Sequence, residues 1–210
     1  MSNFKQTIQW YDSNAAAYAS KIEPSSSDEL IERFVQKVGQ GAVVLDAGCA
    51  GGRDCKLFKQ KGLQPIGIDL STALIEHAKS KNPDIEFHHG NFLALPFDDE
   101  SFDGVWSHAS LLHLEEISQV KKALSEFYRV MKKGAYLHTY VKQQLGEAKT
   151  ESASHSFSGE FKRFFRFFSK QEFIVLLEEA GFTIESIADN YATPDGRENI
   201  KWIVALSRKD

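Results

Sequence analysis

A chain of 210 residues with 42% apolar and 26% charged residues reads as one folded domain and not as a disordered segment. Its 25 basic and 29 acidic residues leave a net charge of −4, so no broad polycationic surface is present to hold nucleic acid without sequence preference. The longest apolar runs are a few residues long, against roughly 20 for a membrane span, and residues 1–10 lack the apolar stretch of a secretory signal.

In chain order, residues 4–20 read as an amphipathic helix with Tyr11, Ala15 and Tyr18 at helical spacing. Pro24 and three serines break it, and Asp28 opens a second helix to about Val38. Residues 42–46 form a continuous apolar run ending in an acid, as in a buried parallel strand. The alternation then repeats, with strands expected at 65–69, 85–88, 102–107 and 136–141 and helices at 53–61, 72–81 and 118–131. A last helix at 171–180 precedes two strands at 183–189 and 201–207, close enough in sequence to pair as an antiparallel edge. The expectation is an α/β, Rossmann-like sheet of seven mostly parallel strands with one antiparallel, helices on both faces. It forms a single domain over 1–210, with 1–38 as an N-terminal helical cap. Residues 142–163 show no clear period, and the region 142–168 reads as a lid.

Cys49 and Cys55 lie six apart with no zinc-type Cys/His spacing, so they read as reduced thiols of a cytoplasmic protein with no metal, with a redox-sensitive pair as the alternative. The first strand and the turn after it, which holds Cys49, form the most informative segment, Val43-Val44-Leu45-Asp46-Ala47-Gly48-Cys49-Ala50-Gly51-Gly52. Glycines after a buried strand let the backbone turn sharply and approach a ligand, and the next helix points free N–H groups there. The second strand ends in Asp69, about twenty residues past the first glycine, where an acid accepts from a ribose diol. A purely local role also exists for Asp69, as a cap on the following helix through Thr72 and Ala73. The glycine spacing departs from the dinucleotide fingerprint, and Asp46 at the strand tip repels a pyrophosphate while suiting a ligand with an ammonium or sulfonium group.

The segment resembles motif I of class I S-adenosylmethionine-dependent methyltransferases, in their small-molecule, type 11-like branch. Gly90-Asn91-Phe92 resembles the adenine-edge motif, Leu95-Pro96-Phe97-Asp98-Asp99-Glu100-Ser101-Phe102-Asp103 the run into strand four, and Arg129-Val130-Met131-Lys132-Lys133-Gly134 the entry to strand five. Ala50 stands where glycine is frequent, and Asn91 where Asp is usual. The resemblance implies that Asp46, Gly48, Cys49, Gly51, Gly52, Asp69, Leu70, Asn91, Phe92 and Ser107 bind S-adenosylmethionine, with S-adenosylhomocysteine as product. It implies methyl transfer by in-line displacement to a small-molecule acceptor.

His108 and His113, after the fourth strand, are the candidates for a general base, against a local packing role for each. His88 and His89 read as solvated or as lying near the cofactor rim, and Arg53 as a carboxylate partner or a surface residue. Tyr11 and Tyr18 on the first helix, with Arg163 and Arg197, are candidates for the acceptor pocket. Nucleic acid is disfavoured as a partner because Ser107-His108-Ala109-Ser110 stands in place of the Asn/Asp-Pro-Pro-aromatic motif after strand four, and oligomeric state is not legible. The rival readings are a nucleic-acid or protein methyltransferase, an NAD-linked oxidoreductase, and a non-catalytic S-adenosylmethionine-binding regulator.

Overall fold

The computed structural model describes residues 2–23, 28–153, 161–190 and 201–210. Its framework is a seven-stranded sheet built from β1 (Val43–Ala47), β2 (Gln64–Asp69), β3 (Glu86–His89), β4 (Phe102–His108), β5 (Met131–Lys142), β8 (Phe182–Asn190) and β9 (Trp202–Lys209). Between β5 and β8 lies a separate antiparallel ribbon of β6 (Thr150–Ala153) and β7 (Arg163–Arg166). The order across the main sheet is β3-β2-β1-β4-β5-β9-β8. Strands β1 to β5 pair in parallel, whereas β9 runs antiparallel to both β5 and β8. The reversed strand is therefore the inner member of the closing hairpin, and the outermost strand, β8, shares the direction of the rest.

Helices α2 (Asp28–Val38) and α3 (Arg53–Gln60) cover one face, where Ile31, Phe34 and Phe58 pack on Val44 and Trp106. The other face takes α5 (Ile117–Val130) and α6 (Lys170–Glu179). In α5 the buried residues Val120, Ala123, Leu124, Phe127 and Val130 recur at three- and four-residue intervals, so one stripe of the helix enters the core. Each large side chain fully buried there contributes roughly 1.5–3 kcal/mol. Helix α4 (Thr72–Lys81) sits beside α3, joined through a small cluster of Cys49, Cys55, Ile75, Ala78 and Phe87.

The first helix, α1 (Asn3–Ile22), packs against α4 and β7 across the carboxyl ends of the strands instead of lying on a sheet face. Its buried positions, Thr7, Trp10, Ala15 and Ala19, form one stripe. Strand order reverses between β1 and β4, so the connections after these two strands diverge and leave a crevice at the carboxyl edge. Helix α1 lies over that edge.

Two sequence expectations shift. Strand β5 begins at Met131, not at 136, because its extra residues between Met131 and Tyr136 bulge out opposite Phe102–Gly104 of β4, passing Gly134 in a left-handed conformation, and so let Met131 pair with Phe102. The region 142–168, read as a lid with its stretch 142–163 a long connection, contains the β6–β7 ribbon, which packs on α1 and on the short 3₁₀ turn Leu111–His113.

Candidate functional site

The crevice is shaped by the turn after β1. The N–H groups of Gly48 and Cys49 both donate to the Ile68 carbonyl, at 2.8 and 3.1 Å, which bends the chain around the end of β2. Gly48 has φ 89°, and a Cβ there would lie 2.4 Å from that of Ser110. A Cβ on Gly51 would lie 2.7 Å from the Cβ of Ala19 on α1. Hence the turn admits no side chain at either position, and α1 rests directly on its backbone. Ala50 adopts φ 47°, a left-handed conformation costly for a residue with a Cβ.

Asp69 faces the same turn. Its Oδ2 accepts the Ala50 N–H at 3.0 Å and its Oδ1 the Ser71 N–H at 2.9 Å. Each carboxylate oxygen takes about two hydrogen bonds, so both oxygens keep capacity for a diol. Capping of α4 falls to other groups: Ser71 Oγ accepts from Leu74 N at 3.2 Å, while Asp12 Oδ1 accepts from Ser71 Oγ at 2.6 Å and Ala73 N at 3.2 Å. Asp69 is thus not the cap of that helix. Burial raises its carboxyl pKa, against the lowering pull of the amides that donate to it.

Asp46 is 2% exposed and accepts the Cys55 thiol at 3.3 Å. Burial and then Asp54 push its carboxyl well above the usual range. Arg53 does not project from the turn; it pairs with Asp54 at 2.6 Å and donates to the Ile22 carbonyl at 3.2 Å, tying α3 to the end of α1. Asp54 in turn accepts from Trp106 Nε1 at 2.8 Å. With Arg53 paired to Asp54, the raised carboxyls of Asp46 and Asp69 are the acids that a cationic ligand head would draw back toward ionisation. The glycine cradle, the spare capacity of Asp69 and this acidic excess all fit an adenosyl sulfonium.

The other sequence-predicted cofactor residues lie around the crevice with varied roles. Ser110 donates to the Ala47 carbonyl at 2.8 Å, so in the 2.7 Å Ser107–Ser110 pair Ser107 is the donor. Ser107 is fully buried and bolts the end of β4 to the turn. Asn91 accepts the Leu93 N–H at 2.9 Å, and Phe92 packs on Phe127. Gly52 caps α3 in a left-handed conformation, and the Leu70 carbonyl accepts from His89 Nε2 at 3.0 Å. His88 pairs with Glu86. The Cys49 and Cys55 thiols are free, buried and raised well above the ordinary thiol pKa by desolvation, so neither is a ready nucleophile.

The two candidate histidines are not brought together. His108 lies on the α2 face of the sheet, parallel to Tyr140 at 4.3 Å and to Trp106 at 5.3 Å, with Nδ1 3.3 Å from Nε2 of His138. Desolvation pushes it down to about 4 and His138 well below its ordinary value. Its ring is committed to an aromatic column. His113, by contrast, meets α1. Its Nδ1 lies 2.7 Å from the Phe164 carbonyl, which can only accept, so Nδ1 carries the proton. Burial lowers its pKa to about 3, so the ring is neutral and Nε2 accepts the Tyr11 hydroxyl at 2.9 Å. Arg163 Nη1 reaches the same hydroxyl oxygen at 3.4 Å.

Around that contact Trp10, Tyr11 and Tyr18 pack edge to face, with ring centroids 5.0–5.9 Å apart. Burial and the neighbouring Tyr11 raise the Tyr18 phenol above its ordinary range. Thr7 Oγ1 accepts from Phe164 N at 2.9 Å, and the Phe4 N–H donates to Glu115. Tyr11, Tyr18, His113 and Arg163 therefore form one cluster, and Arg197 lies outside the described residues. Asp12, Ser110 and Thr7 are the site residues the sequence did not single out. Each works through a partner more than 50 residues away, which leaves no local signal. Among the described residues no helix is long and apolar enough to cross a membrane, and no group of three or more His, Cys, Asp or Glu side chains is placed to hold a metal.

Comparison with known proteins gives this geometry its class. A family model described as a methyltransferase domain, of type 11, matches residues 45–139, which run from β1 through β5. The malonyl-[acyl-carrier protein] O-methyltransferase of Salmonella typhimurium is 29% identical over 131 residues, covering 62% of this chain and 48% of that protein. The demethylmenaquinone methyltransferase of Renibacterium salmoninarum is 36% identical over 97 residues, 46% of this chain and 40% of its own. The chain thus spans about half or less of these relatives' length. In fold it matches the 1,6-didemethyltoxoflavin-N1-methyltransferase of Burkholderia thailandensis, solved with 1,6-didemethyltoxoflavin and S-adenosylhomocysteine, with a TM-score of 0.74 at 20% identity over 96% of this chain and 87% of that one. Residues 45–139 thus match a class I S-adenosylmethionine-dependent methyltransferase domain of the type 11-like branch, a class whose cofactor is S-adenosylmethionine.

Proposed function

We propose that the protein transfers a methyl group from S-adenosylmethionine to a small-molecule acceptor held between α1, the Leu111–His113 turn and the β6–β7 ribbon. The observation that carries this reading is the position of Asp69, clasping the glycine turn at the strand-order reversal with lone pairs to spare. In this reading Asp69 holds the ribose diol, and the backbone of Gly48–Gly52 lies along the methionyl part. Asp46 supplies negative potential from beneath the turn, and Asn91 and Phe92 border the adenine.

The cofactor brings an activated methyl group on a sulfonium, whose displacement needs alignment more than it needs a protein nucleophile. This chain's own residues close the crevice: α1 lies over it, and Trp10, Tyr11 and Tyr18 exclude water from its acceptor end. His113 holds the Tyr11 hydroxyl in place and, with both ring nitrogens engaged, has no free lone pair with which to take a proton from the acceptor. The ribbon acts as a lid, fixed by Thr7 on one side and by Arg166 donating to the Leu114 and Glu115 carbonyls on the other.

Incubation with S-adenosylmethionine labelled on its methyl group, together with fractionated cell extract, tests the reading. Label in a low-mass product supports it. Label in RNA or protein moves the acceptor class, and donor binding with no labelled product supports the regulatory alternative.

A further inference from the structure

Arg163 is an unusual cation in this setting. It projects from β7 with its guanidinium carbon 4.1 Å from the centre of the Trp10 ring, and the rings of Phe165, Tyr11 and Tyr18 lie at 5.1, 5.7 and 5.7 Å. A guanidinium binds aromatic faces above and below its plane and binds acids in its plane. The rings thus take the stacking role and leave the in-plane donors. Of these, Nη1 makes a long 3.4 Å contact to the Tyr11 hydroxyl, and Nε is buried with no hydrogen-bond partner. No carboxylate within the described residues pairs with Arg163, although Arg53 and Arg166 both have strong partners close by. Leaving such a donor unpaired costs about 1–3 kcal/mol and calls for an explanation beyond packing.

The place of this cation in the fold says which ligand it serves. Helix α1 crosses the glycine turn at Ala19 and meets Arg163 at Tyr11, eight residues earlier and so about 12 Å along the helix axis. Arg163 therefore belongs to the β4–β5 side of the crevice, beyond the turn. Around it His113 is uncharged, and no side-chain base in the cluster is free to deprotonate a neutral acceptor. An acid that arrives already ionised suits both facts.

Building on the methyltransferase reading, we infer that the acceptor is a small organic acid whose carboxylate is held in the plane of the Arg163 guanidinium, through Nε and a terminal nitrogen, with Trp10, Tyr11, Tyr18 and Phe165 forming the wall. Two parallel N–H···O bonds to a carboxylate satisfy the orphaned donor and set the acceptor's orientation.

The test is calorimetry on protein saturated with S-adenosylhomocysteine, titrated with benzoate, phenylacetate and hexanoate, each against its own amide. The expected result is binding of at least one acid more than tenfold tighter than its amide. Arg163→Met is expected to weaken that acid more than tenfold while shifting S-adenosylhomocysteine affinity less than about twofold. Arg163→Lys, which keeps the charge on the ring stack without the planar fork, recovers the fold and only part of the acid affinity. Equal binding of acids and amides, binding of no acid, or acid binding unchanged in Arg163→Met overturns the inference. Parallel loss of S-adenosylhomocysteine in Arg163→Met also overturns it, since the guanidinium then serves the donor's amino-acid end. A wild-type protein that fails to bind S-adenosylhomocysteine instead sinks the methyltransferase reading itself.

Discussion

The two ends of helix α1 rest on different kinds of surface. Near its carboxyl end Ala19 sits on the backbone of Gly51, and the Ile22 carbonyl is held by Arg53, so the fit is set by main-chain shape. Near its amino end the contact is made mainly through side chains of the helix: Tyr11 on His113, Trp10 on Arg163, and Thr7 Oγ1 accepting the Phe164 N–H. A surface of backbone and glycine suits a ligand that is the same for every member of a family. One built from side chains can be respecified by substitution without moving the fold. On the proposed function, the donor end of the crevice is thus the generic part, and the acceptor end the particular one.

Four changes break or sharpen that contrast. Gly51→Val, which drives a branched side chain against Ala19, is expected to lift α1 and cost about 3 kcal/mol of stability, with roughly a hundredfold loss of S-adenosylhomocysteine affinity. Thermal melts and calorimetry measure both. Acidification is expected to act mainly through the histidines of β4, β5 and the 3₁₀ turn. His108 and His113 are held down to about 4 and about 3, and His138 lies well below its ordinary value, so below pH ~6.5 the unfolded chain binds protons that the folded one refuses. Each then withdraws about 1.4 kcal/mol of stability per pH unit until its folded-state value is reached. Asp46 and Asp69, raised in the fold, oppose this as they take up protons above the ordinary carboxylate range. Urea unfolding is expected to lose at least about 2 kcal/mol between pH 6.5 and 5, while the proton resonances of these three rings stay fixed over that range.

Smaller effects follow at single groups. Tyr11→Phe removes the donor to the buried His113 Nε2 and is expected to cost about 1–2 kcal/mol in stability, by urea unfolding. The same change is expected to lower acceptor kcat/KM roughly tenfold and to leave donor affinity within threefold, a split that Gly51→Val does not show. Ala50→Gly relieves a left-handed alanine but loosens the unfolded chain, so urea melts are expected to differ from wild type by less than about 0.5 kcal/mol.

Much of the generic half was legible in the residues. Helix α4 spans the expected 72–81, and β1, β2 and β4 fall within a residue or so of their expected limits, because buried parallel strands are continuous apolar runs bounded by glycine and acid. Gly48 announced the turn, whereas the hold of Asp69 on the Ala50 N–H was not foreseen, since spacing had offered it only as a ribose partner or a helix cap. The acceptor half was harder to read. Arg163-Phe164-Phe165-Arg166 is too short to show a two-residue period, so the β6–β7 ribbon passed for loop. His108 and His113 looked equivalent in sequence, five residues apart, yet strand alternation sends one into the aromatic column and the 3₁₀ turn sends the other to Tyr11. Asp12 and Ser110 act across the chain fold, which no local pattern encodes.

Calorimetric titration of the purified protein with S-adenosylhomocysteine, beside Asp69→Ala, probes the shared foundation most directly. One site per chain is expected, with an affinity at least about a hundredfold weaker in the variant, the loss of two hydrogen bonds to a charged acceptor. No heat of binding with the wild type, or equal affinity in the two proteins, would contradict that expectation.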